Sequence, residues 1–317
     1  MQIFAGQVRF GIHAGPQNTN YADYVHTWKR AEELGYDWAS VFDHFMPISG
    51  GPIDGPCFEG PTLLAALAAQ TSTIRCGILV VGNTYRNPAV LANIFATIDH
   101  VSNGRVELGI GAGWYEAEHE QYNIPFYTPG RRIRMLGESV KIIRSLFENE
   151  RTTFNGRYYT VHEALLAPKP VQPRLPIWVG GAGEQLTLRV VAESADGWNT
   201  FFMSPEEYRA KLEVLAGHCC DVGRDPAEIR KSLAGGLLVG ETEAEVAERT
   251  AELGTVQRGI AGTPEQCIEQ ILEYVKLGVG DFLFSARPPV DFRSLELFQM
   301  HVAPAVRAEA ATILAAG

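Results

Sequence analysis

A carboxylate and an imidazole stand next to each other at Asp43 and His44, directly after the apolar segment Trp38–Phe42. A carboxylate beside an imidazole can orient the ring and tune its proton affinity, which suits general acid–base catalysis. The alternative is that Asp43 caps the following turn and His44 is merely exposed. The chemistry alone leaves both interpretations open, and the position of the pair after a predicted strand favours catalysis.

Two glycine-rich segments could bring the backbone close to a ligand. In the first, glycine alternates with other residues over Gly109–Gly113, just before Trp114. In the second, Pro176–Gln185, an apolar stretch runs through Gly180–Gly183 into a predicted helix. Free N–H groups ahead of a helix suit a phosphate, and we favour that interpretation for the second segment. A tight turn that needs glycine for packing is the alternative for both.

The apolar segment Cys76–Gly82 could press aliphatic groups against a flat ring, although a buried core strand is the favoured interpretation from composition. Acidic residues and a histidine occur at 116–120, which raises the hypothesis of a metal site. Their spacing matches no metal signature, so a solvated helix turn is favoured. The acidic and histidine positions are Glu116, Glu118, His119 and Glu120.

Arginines offer a further way to hold an anion. Arg131, Arg132 and Arg134 lie near the start of a predicted helix, where a solvated face is the favoured interpretation. Arg287 follows the last predicted strand and is a rim candidate of similar weight. The chain contains neither a G-x-S-x-G elbow nor a P-loop, so acyl transfer and nucleotide hydrolysis lack support.

Composition sets the broad class. The 317 residues are 46% hydrophobic and 20% charged, as in an ordinary globular enzyme. The net charge of −10 disfavours nucleic acid or an anionic membrane as a partner, and no apolar run predicts a membrane span. The five cysteines form no C-x-x-C and no secretory leader is evident, so we expect a cytoplasmic protein.

Short apolar segments alternate with longer amphipathic ones, which is the pattern of βα units and a parallel sheet. An Asn-Gly pair within Thr152–Tyr159 predicts a small hairpin outside this repeat. The sequence therefore predicts an α/β fold, a (β/α)8 TIM barrel with an insertion region, as one domain over residues 1–317. The predicted strands are Val8–His13, Trp38–Phe42, Cys76–Val81, Val106–Gly111, Pro176–Gly180, Gly197–Thr200, Leu233–Val239 and Asp281–Ser285. The predicted helices include Tyr21–Leu34, Pro61–Gln70, Pro88–Val101, Arg131–Phe147, Glu184–Ser194, Pro205–Val222, Glu241–Leu253 and Thr263–Leu277.

These stretches together resemble the luciferase-like monooxygenase superfamily, and within it the branch of coenzyme F420-dependent oxidoreductases. The resemblance covers about residues 8 to 230 and rests on motifs that occur in the same order. They are FGIH, ELGYD, VFDHF, IRCGILV, YRNPAVLAN, GRVELGIGAGWYEAEH, PIWVGGAGE, ADGWN and HCCDVGRDP.

The resemblance implies a luciferase-like barrel with coenzyme F420 at its C-terminal rim. His44 would then donate or accept the proton beside Asp43, and Ile78-Leu79 would form a bulged, non-prolyl cis peptide behind the ring. The implied cofactor contacts are His13, Ile78, Leu79, Val81, Gly111, Gly113, Trp114, Gly181, Ala182 and Gly183. Several F420 enzymes carry Glu where Trp114 stands here, which argues against a sugar-phosphate substrate. The aromatic rim instead suggests a flat or apolar substrate near Phe45, Phe201 and Arg287, with Phe202 nearby.

The leading hypothesis is hydride transfer between coenzyme F420 and a small organic molecule. One alternative is an FMN-dependent monooxygenase that receives reduced flavin from a separate reductase, since the fold and the phosphate loop would serve both. The other is a cofactor-binding barrel without turnover, against which the Asp43-His44 pair argues. Relatives commonly dimerise, so the resemblance also implies a homodimer.

Overall fold

Short apolar segments form a closed parallel barrel in the computed structural model, which describes residues 7–48 and 51–316. Eight parallel strands close this barrel, as predicted: β1 pairs with β2 and β11, and the pairing continues through β3, β4, β7, β8 and β9 back to β11. The strands of the described residues are β1 (Arg9–His13), β2 (Trp38–Val41), β3 (Arg75–Gly82), β4 (Val106–Gly111), β5 (Arg151–Asn155), β6 (Thr160–Leu165), β7 (Ile177–Gly180), β8 (Gly197–Phe201), β9 (Arg230–Val239), β10 (Gly259–Gly262) and β11 (Asp281–Ser285).

The helices cover the outside of the barrel, and several begin where the sequence supplies a cap. Asn20 accepts the backbone N–H of Asp23, and Thr263 forms a capping box with Gln266. No helix in the described ranges is long and apolar enough to cross a membrane. The helices are α1 (Tyr21–Glu33), α2 (Gly60–Gln70), α3 (Pro88–Val101), α4 (Glu116–Gln121), α5 (Pro129–Glu148), α6 (Thr187–Ser194), α7 (Pro205–Val222), α8 (Glu243–Leu253), α9 (Pro264–Lys276), α10 (Phe292–Leu297) and α11 (Ala303–Ala316).

The predicted hairpin is present as the antiparallel pair β5–β6, outside the barrel. Its turn is longer than the two-residue turn typical of Asn-Gly, because residues 156–159 all lie between the strands. The carboxylate of Glu138 accepts the backbone N–H groups of Arg157, Tyr158 and Tyr159, which stabilises the longer turn.

The lower interior of the barrel holds stacked indoles and a buried ion network. Trp38 and Trp178 stack with ring centroids 5.8 Å apart. Glu107 is fully buried and accepts Arg9 Nη1 at 2.7 Å and Trp178 Nε1 at 2.7 Å. Arg9 also reaches Asp281 at 2.6 Å. These residues lie at the beginning of their strands, so the opposite, carboxyl-terminal ends are left for a ligand.

Three elements differ most from the prediction, and one of them is strand β9, which begins at Arg230 rather than Leu233. Strand β10 was not predicted, since its four residues are too few and too small to show a periodic pattern; it extends the sheet beside the second half of β9. Helix α6 begins at Thr187 rather than Glu184. The backbone N–H of Leu188 donates to Gly183 O. Residues 184–186 therefore form a turn that precedes the regular helix.

Candidate active site

A cavity of about 1170 Å³ opens at the carboxyl ends of the barrel strands. Its wall is built from the ends of strands and the loops that directly follow them, as in other barrels of this architecture. The wall combines apolar surface with a few polar groups, which is typical of a small-molecule site. Its members include His13, Phe42, Asp43, His44, Leu79, Val80, Val81, Tyr85, Gly111, Gly113, Trp114, Arg132, Gly181, Ala182, Thr187 and Phe201.

The imidazole of His44 is held by a carboxylate that is distant in sequence. His44 Nδ1 lies 2.7 Å from Glu118 Oε2. The rings of Phe42, Trp114 and Tyr115 meet the imidazole edge to face at centroid distances of 5.2, 5.8 and 5.9 Å. The ring of His44 is therefore fixed on several sides while it lines the cavity.

Asp43 does not orient His44, so the pairing expected within this dipeptide is wrong. Within the described residues the Asp43 carboxylate accepts Arg86 at 2.6 and 3.0 Å and the N–H of Gly82 at 3.1 Å, and no hydrogen bond joins it to His44. The Asp43 carboxylate is therefore engaged by Arg86 and Gly82 rather than by the imidazole. Burial raises the pKa of Asp43, and Arg86 opposes that shift only in part.

Glu118 is the functional candidate that the sequence interpretation missed. It is fully buried, and besides His44 it accepts the Tyr85 hydroxyl and the backbone N–H groups of Phe45 and Met46. Burial raises the pKa of this carboxyl, but the hydrogen bonds from His44 and Tyr85 outweigh it and the pKa lies below the ordinary value. Glu118 is therefore ionised at neutral pH.

The expected solvated turn at residues 116–120 is thus wrong for its two central side chains. His119 is 1% exposed, with Nδ1 2.8 Å from Tyr115 O and Nε2 2.7 Å from Thr84 Oγ1. No apolar pattern in this segment signals the burial, because the two side chains are held by hydrogen bonds to His44, Tyr85 and Thr84. Across residues 7–48 and 51–316, no three His, Cys, Asp or Glu side chains are grouped to hold a metal.

The bulge in β3 lies one residue later than expected. The cis peptide joins Leu79 and Val80, not Ile78 and Leu79. Ile78 still pairs regularly with Leu108, and the register resumes at Val81 with one extra residue in β3. Ile78 consequently stays in the core and does not line the cavity, whereas Val80 does.

Glycines on two neighbouring strands make room for this bulge. A Cβ added at Gly111 would lie 2.7 Å from Val80 Cγ2, and one added at Gly180 would lie 2.7 Å from Val80 Cγ1. Such contacts are too short for any real side chain, so only glycine allows the bulge to sit where it does. Leu79, Val80 and Val81 therefore form an apolar seat in the cavity wall, which fits the face of a flat ring.

The small-residue loop after β7 also reaches the cavity. Gly181 has φ +126°, a conformation that favours glycine, and its carbonyl accepts Trp198 Nε1 at 2.7 Å. Gly181, Ala182 and Thr187 line the cavity, whereas Gly183 faces solvent outside its wall. The Gly181 N–H donates to Asn199 O at 3.1 Å, so the Ala182 N–H and the hydroxyl of Thr187, the first residue of α6, are the groups of this loop that fit a phosphate.

The remaining predicted residues divide between the cavity and its surroundings. His13 lines the cavity with Nδ1 2.8 Å from Ser40 Oγ, and burial together with the charge of Arg287 lowers its pKa to about 4. Trp114 and Phe201 line the cavity and are well exposed. Phe45 packs between Tyr85 and Tyr122 and does not line the cavity. Arg287 is exposed to solvent and is not part of the cavity wall either.

Arg132 is also part of the site, against the favoured interpretation of a solvated face. It is 7% exposed, donates to Gly113 O at 3.1 Å and to Tyr127 O, and lies over the Phe126 ring. Burial lowers the pKa of Arg132. Its contacts hold the loop that carries Trp114 rather than leaving the guanidinium directed at solvent.

Known proteins are similar to this chain in sequence and in architecture. An uncharacterized protein of Mycobacterium tuberculosis is 39% identical over 137 residues, which is 43% of this chain and 48% of that protein, so the match spans about half the length of that relative. An F420-dependent glucose-6-phosphate dehydrogenase of Segniliparus rotundus is 29% identical over 342 residues, covering 95% of this chain and 98% of that enzyme.

Solved structures match over nearly the whole barrel. An F420-dependent secondary alcohol dehydrogenase in complex with an F420-acetone adduct superimposes with a TM-score of 0.81 at 22% identity, covering 95% of this chain and 99% of that one. A riboflavin lyase with modified FMN and riboflavin superimposes with a TM-score of 0.84 at 14% identity, covering 96% and 92%. At these identities the likeness concerns the fold. The sequence pattern of the luciferase-like monooxygenases matches residues 3–256, and the chain belongs to that family.

Proposed function

We propose that this protein is an oxidoreductase that transfers a hydride between coenzyme F420 and a small organic substrate. The observation that carries the proposal is the pairing, in one cavity, of an apolar bulge held by glycines with an imidazole held by a buried carboxylate. The first suits a flat ring and the second suits proton transfer. Full-length relatives named as F420-dependent dehydrogenases support the choice of cofactor.

Different residues of the cavity would bind the ring, bind the phosphate and transfer the proton. Leu79, Val80 and Val81 would hold the deazaflavin ring, and the backbone N–H of Ala182 would hold its phosphate with the Thr187 hydroxyl, since the N–H of Gly181 donates to Asn199 O. When bound, the deazaflavin supplies or accepts the hydride. His44 gives or takes the accompanying proton of the substrate through the ring nitrogen that Glu118 leaves free.

The substrate that fits best is flat or apolar rather than a sugar phosphate. Trp114 and Phe201 present aromatic surface to the cavity and are 62% and 60% exposed. Of the cations in the described wall, Arg132 donates to backbone carbonyls and Lys211 pairs with Glu184, whereas Arg258 is exposed. The named dehydrogenase relatives therefore indicate the cofactor more than the substrate.

Turnover with coenzyme F420 tests this proposal. Secondary alcohols, aromatic ketones and enones are offered with the oxidised or reduced cofactor under anaerobic conditions, and glucose 6-phosphate serves as the comparison substrate. We expect turnover with members of the flat or apolar group and none with glucose 6-phosphate. Efficient turnover of glucose 6-phosphate would contradict the substrate assignment, and failure of the cofactor with every substrate would contradict the function.

Assays of the same purified protein distinguish two other functions from hydride transfer. Oxygen consumption coupled to product formation with reduced FMN would identify a monooxygenase, which the family as a whole allows. An unchanged rate in His44→Ala would favour a barrel that binds the cofactor without catalysis. The single domain, homodimer, separate reductase and cytoplasmic location stay predictions, and light scattering tests the dimer.

A further inference from the structure

We propose that Glu118 is a positioning residue that fixes the tautomer of His44, so that Nε2 of the imidazole is the atom that handles the proton in the cavity. The use of that proton rests on the proposed function. The tautomer is a property of the protein alone, so it can be measured without cofactor or substrate.

The hydrogen-bond geometry sets the direction of each donor. An ionised carboxylate can only accept, so His44 Nδ1, 2.7 Å from Glu118 Oε2, must carry the hydrogen. The Tyr85 hydroxyl donates to the same oxygen. In the neutral imidazole, Nε2 is then unprotonated and is free to accept a proton from the cavity side.

Two features keep Glu118 suited to this task. Its pKa lies below the ordinary value despite burial, because His44 and Tyr85 donate to the charged form. Burial and Glu118 together raise the pKa of Tyr85, which therefore stays a donor. Because Nδ1 donates its hydrogen to Glu118, Nε2 is the ring nitrogen that can take a proton.

The two oxygens of Glu118 serve different partners. Oε1 accepts the backbone N–H groups of Phe45 and Met46, whereas Oε2 accepts the His44 and Tyr85 side chains. Glu118→Gln can keep its oxygen on the backbone groups and place its amide nitrogen at the former Oε2. An amide nitrogen only donates, so His44 Nδ1 must become the acceptor and the hydrogen must move to Nε2.

Asp43 supplies a matched control. It is adjacent to His44 in sequence and equally buried, but its partners are Arg86 and the Gly82 N–H. Asp43→Asn removes a buried carboxylate charge from the cavity wall and leaves the hydrogen bond between His44 and Glu118 in place. A general loss of packing would affect both variants, whereas control of the tautomer belongs to Glu118 only.

Nitrogen NMR of protein labelled with ¹⁵N in the histidine rings reads the tautomer directly. Loss of one signal set in His44→Asn assigns His44 among the eight histidines. We expect protonated Nδ1 in the wild type and in Asp43→Asn, and protonated Nε2 in Glu118→Gln. Protonated Nε2 in the wild type would overturn the proposal, and that spectrum does not depend on any variant folding.

Kinetics provide the second readout. Glu118→Gln should lower kcat by about 10²- to 10⁴-fold, which is the range for losing a correctly placed acid–base group, while the Kd for coenzyme F420 stays within about twofold. An unchanged kcat in a Glu118→Gln protein whose tautomer has switched would overturn the role of Nε2. If the wild type turned over no substrate, the function would fail while the NMR result still decided the tautomer.

Discussion

The side chain of Val80 packs against Gly111 and Gly180 of the neighbouring strands. This packing gives a quantitative prediction for Gly111→Ala. The new methyl would be 2.7 Å from Val80 Cγ2, and overpacking of this kind costs about 1–3 kcal/mol. The less flexible unfolded chain offsets about 0.4–1 kcal/mol of that. We therefore expect a net loss of about 1–2 kcal/mol in the free energy of unfolding, because the steric term is the larger one.

Val80→Ala removes the methyl that the new group would meet. Alone it should cost about 1–2 kcal/mol for two deleted methyl groups. In the double variant with Gly111→Ala the clash is gone, so the loss should be smaller than the sum of the single losses by about 1–2 kcal/mol. Gly180→Ala should behave in the same way, since its neighbour is the other methyl of Val80.

Urea unfolding of the wild type, Gly111→Ala, Val80→Ala and the double variant measures this coupling. A titration with coenzyme F420 measures how each change alters the affinity for the cofactor. Gly111→Ala should weaken cofactor binding by about tenfold, which is about 1.4 kcal/mol, and the double variant should regain most of it. Gly109→Ala is the control, because its Cβ would overlap the Ile78 carbonyl, which Val80→Ala cannot relieve. Additive losses for Gly111→Ala and Val80→Ala, within about 0.5 kcal/mol, would refute the reasoning.

Three further predictions concern the frame, the loop and the rim. Glu107→Gln should lower the free energy of unfolding by about 3–5 kcal/mol by breaking buried ion pairs. Burial raises the pKa of Glu107 but Arg9 and Arg75 outweigh it and hold it well below the ordinary value. Its contribution is therefore present above the unfolded pKa and lost as pH falls towards the lowered one, so urea unfolding should show the variant's deficit shrinking in acid. Gly181→Ala imposes an unfavourable φ of about +126°, and isothermal titration should show cofactor affinity falling while an unchanged Kd would exclude the loop from the site. Trp114→Ala should raise KM for flat substrates more than it lowers kcat in steady-state assays; a fall in kcat alone would contradict a binding role.

The barrel could be predicted from sequence because its signals are local. Apolar runs bounded by turn residues placed β4 and β11 with their observed limits, and proline starts placed α3 and α7. Strand β10 could not be predicted, because it forms through pairing with β9 and its own four residues carry no strand pattern.

The candidate site could be predicted only in part. The sequence located His44 and the two glycine-rich segments, since each lies at or directly after the end of a strand. It could not assign the partner of His44, because Glu118 is 74 positions away and only the folded barrel brings them together. Adjacency in sequence points to Asp43 instead, but the Asp43 carboxylate accepts hydrogen bonds from Arg86. Likewise, the register of β3 with β4 decides where the cis peptide falls.

A parallel titration of the apo protein with coenzyme F420 and with FMN, followed by fluorescence, tests the central claim most directly. The apolar bulge and the small-residue loop suit either cofactor, and the full-length F420-dependent relatives lead us to expect tight binding of the deazaflavin and clearly weaker binding of FMN. The opposite ranking would contradict hydride transfer from F420 and place the protein among the flavin monooxygenases. Binding of neither cofactor would contradict the assignment of the loop at Gly181 and Ala182 to a phosphate.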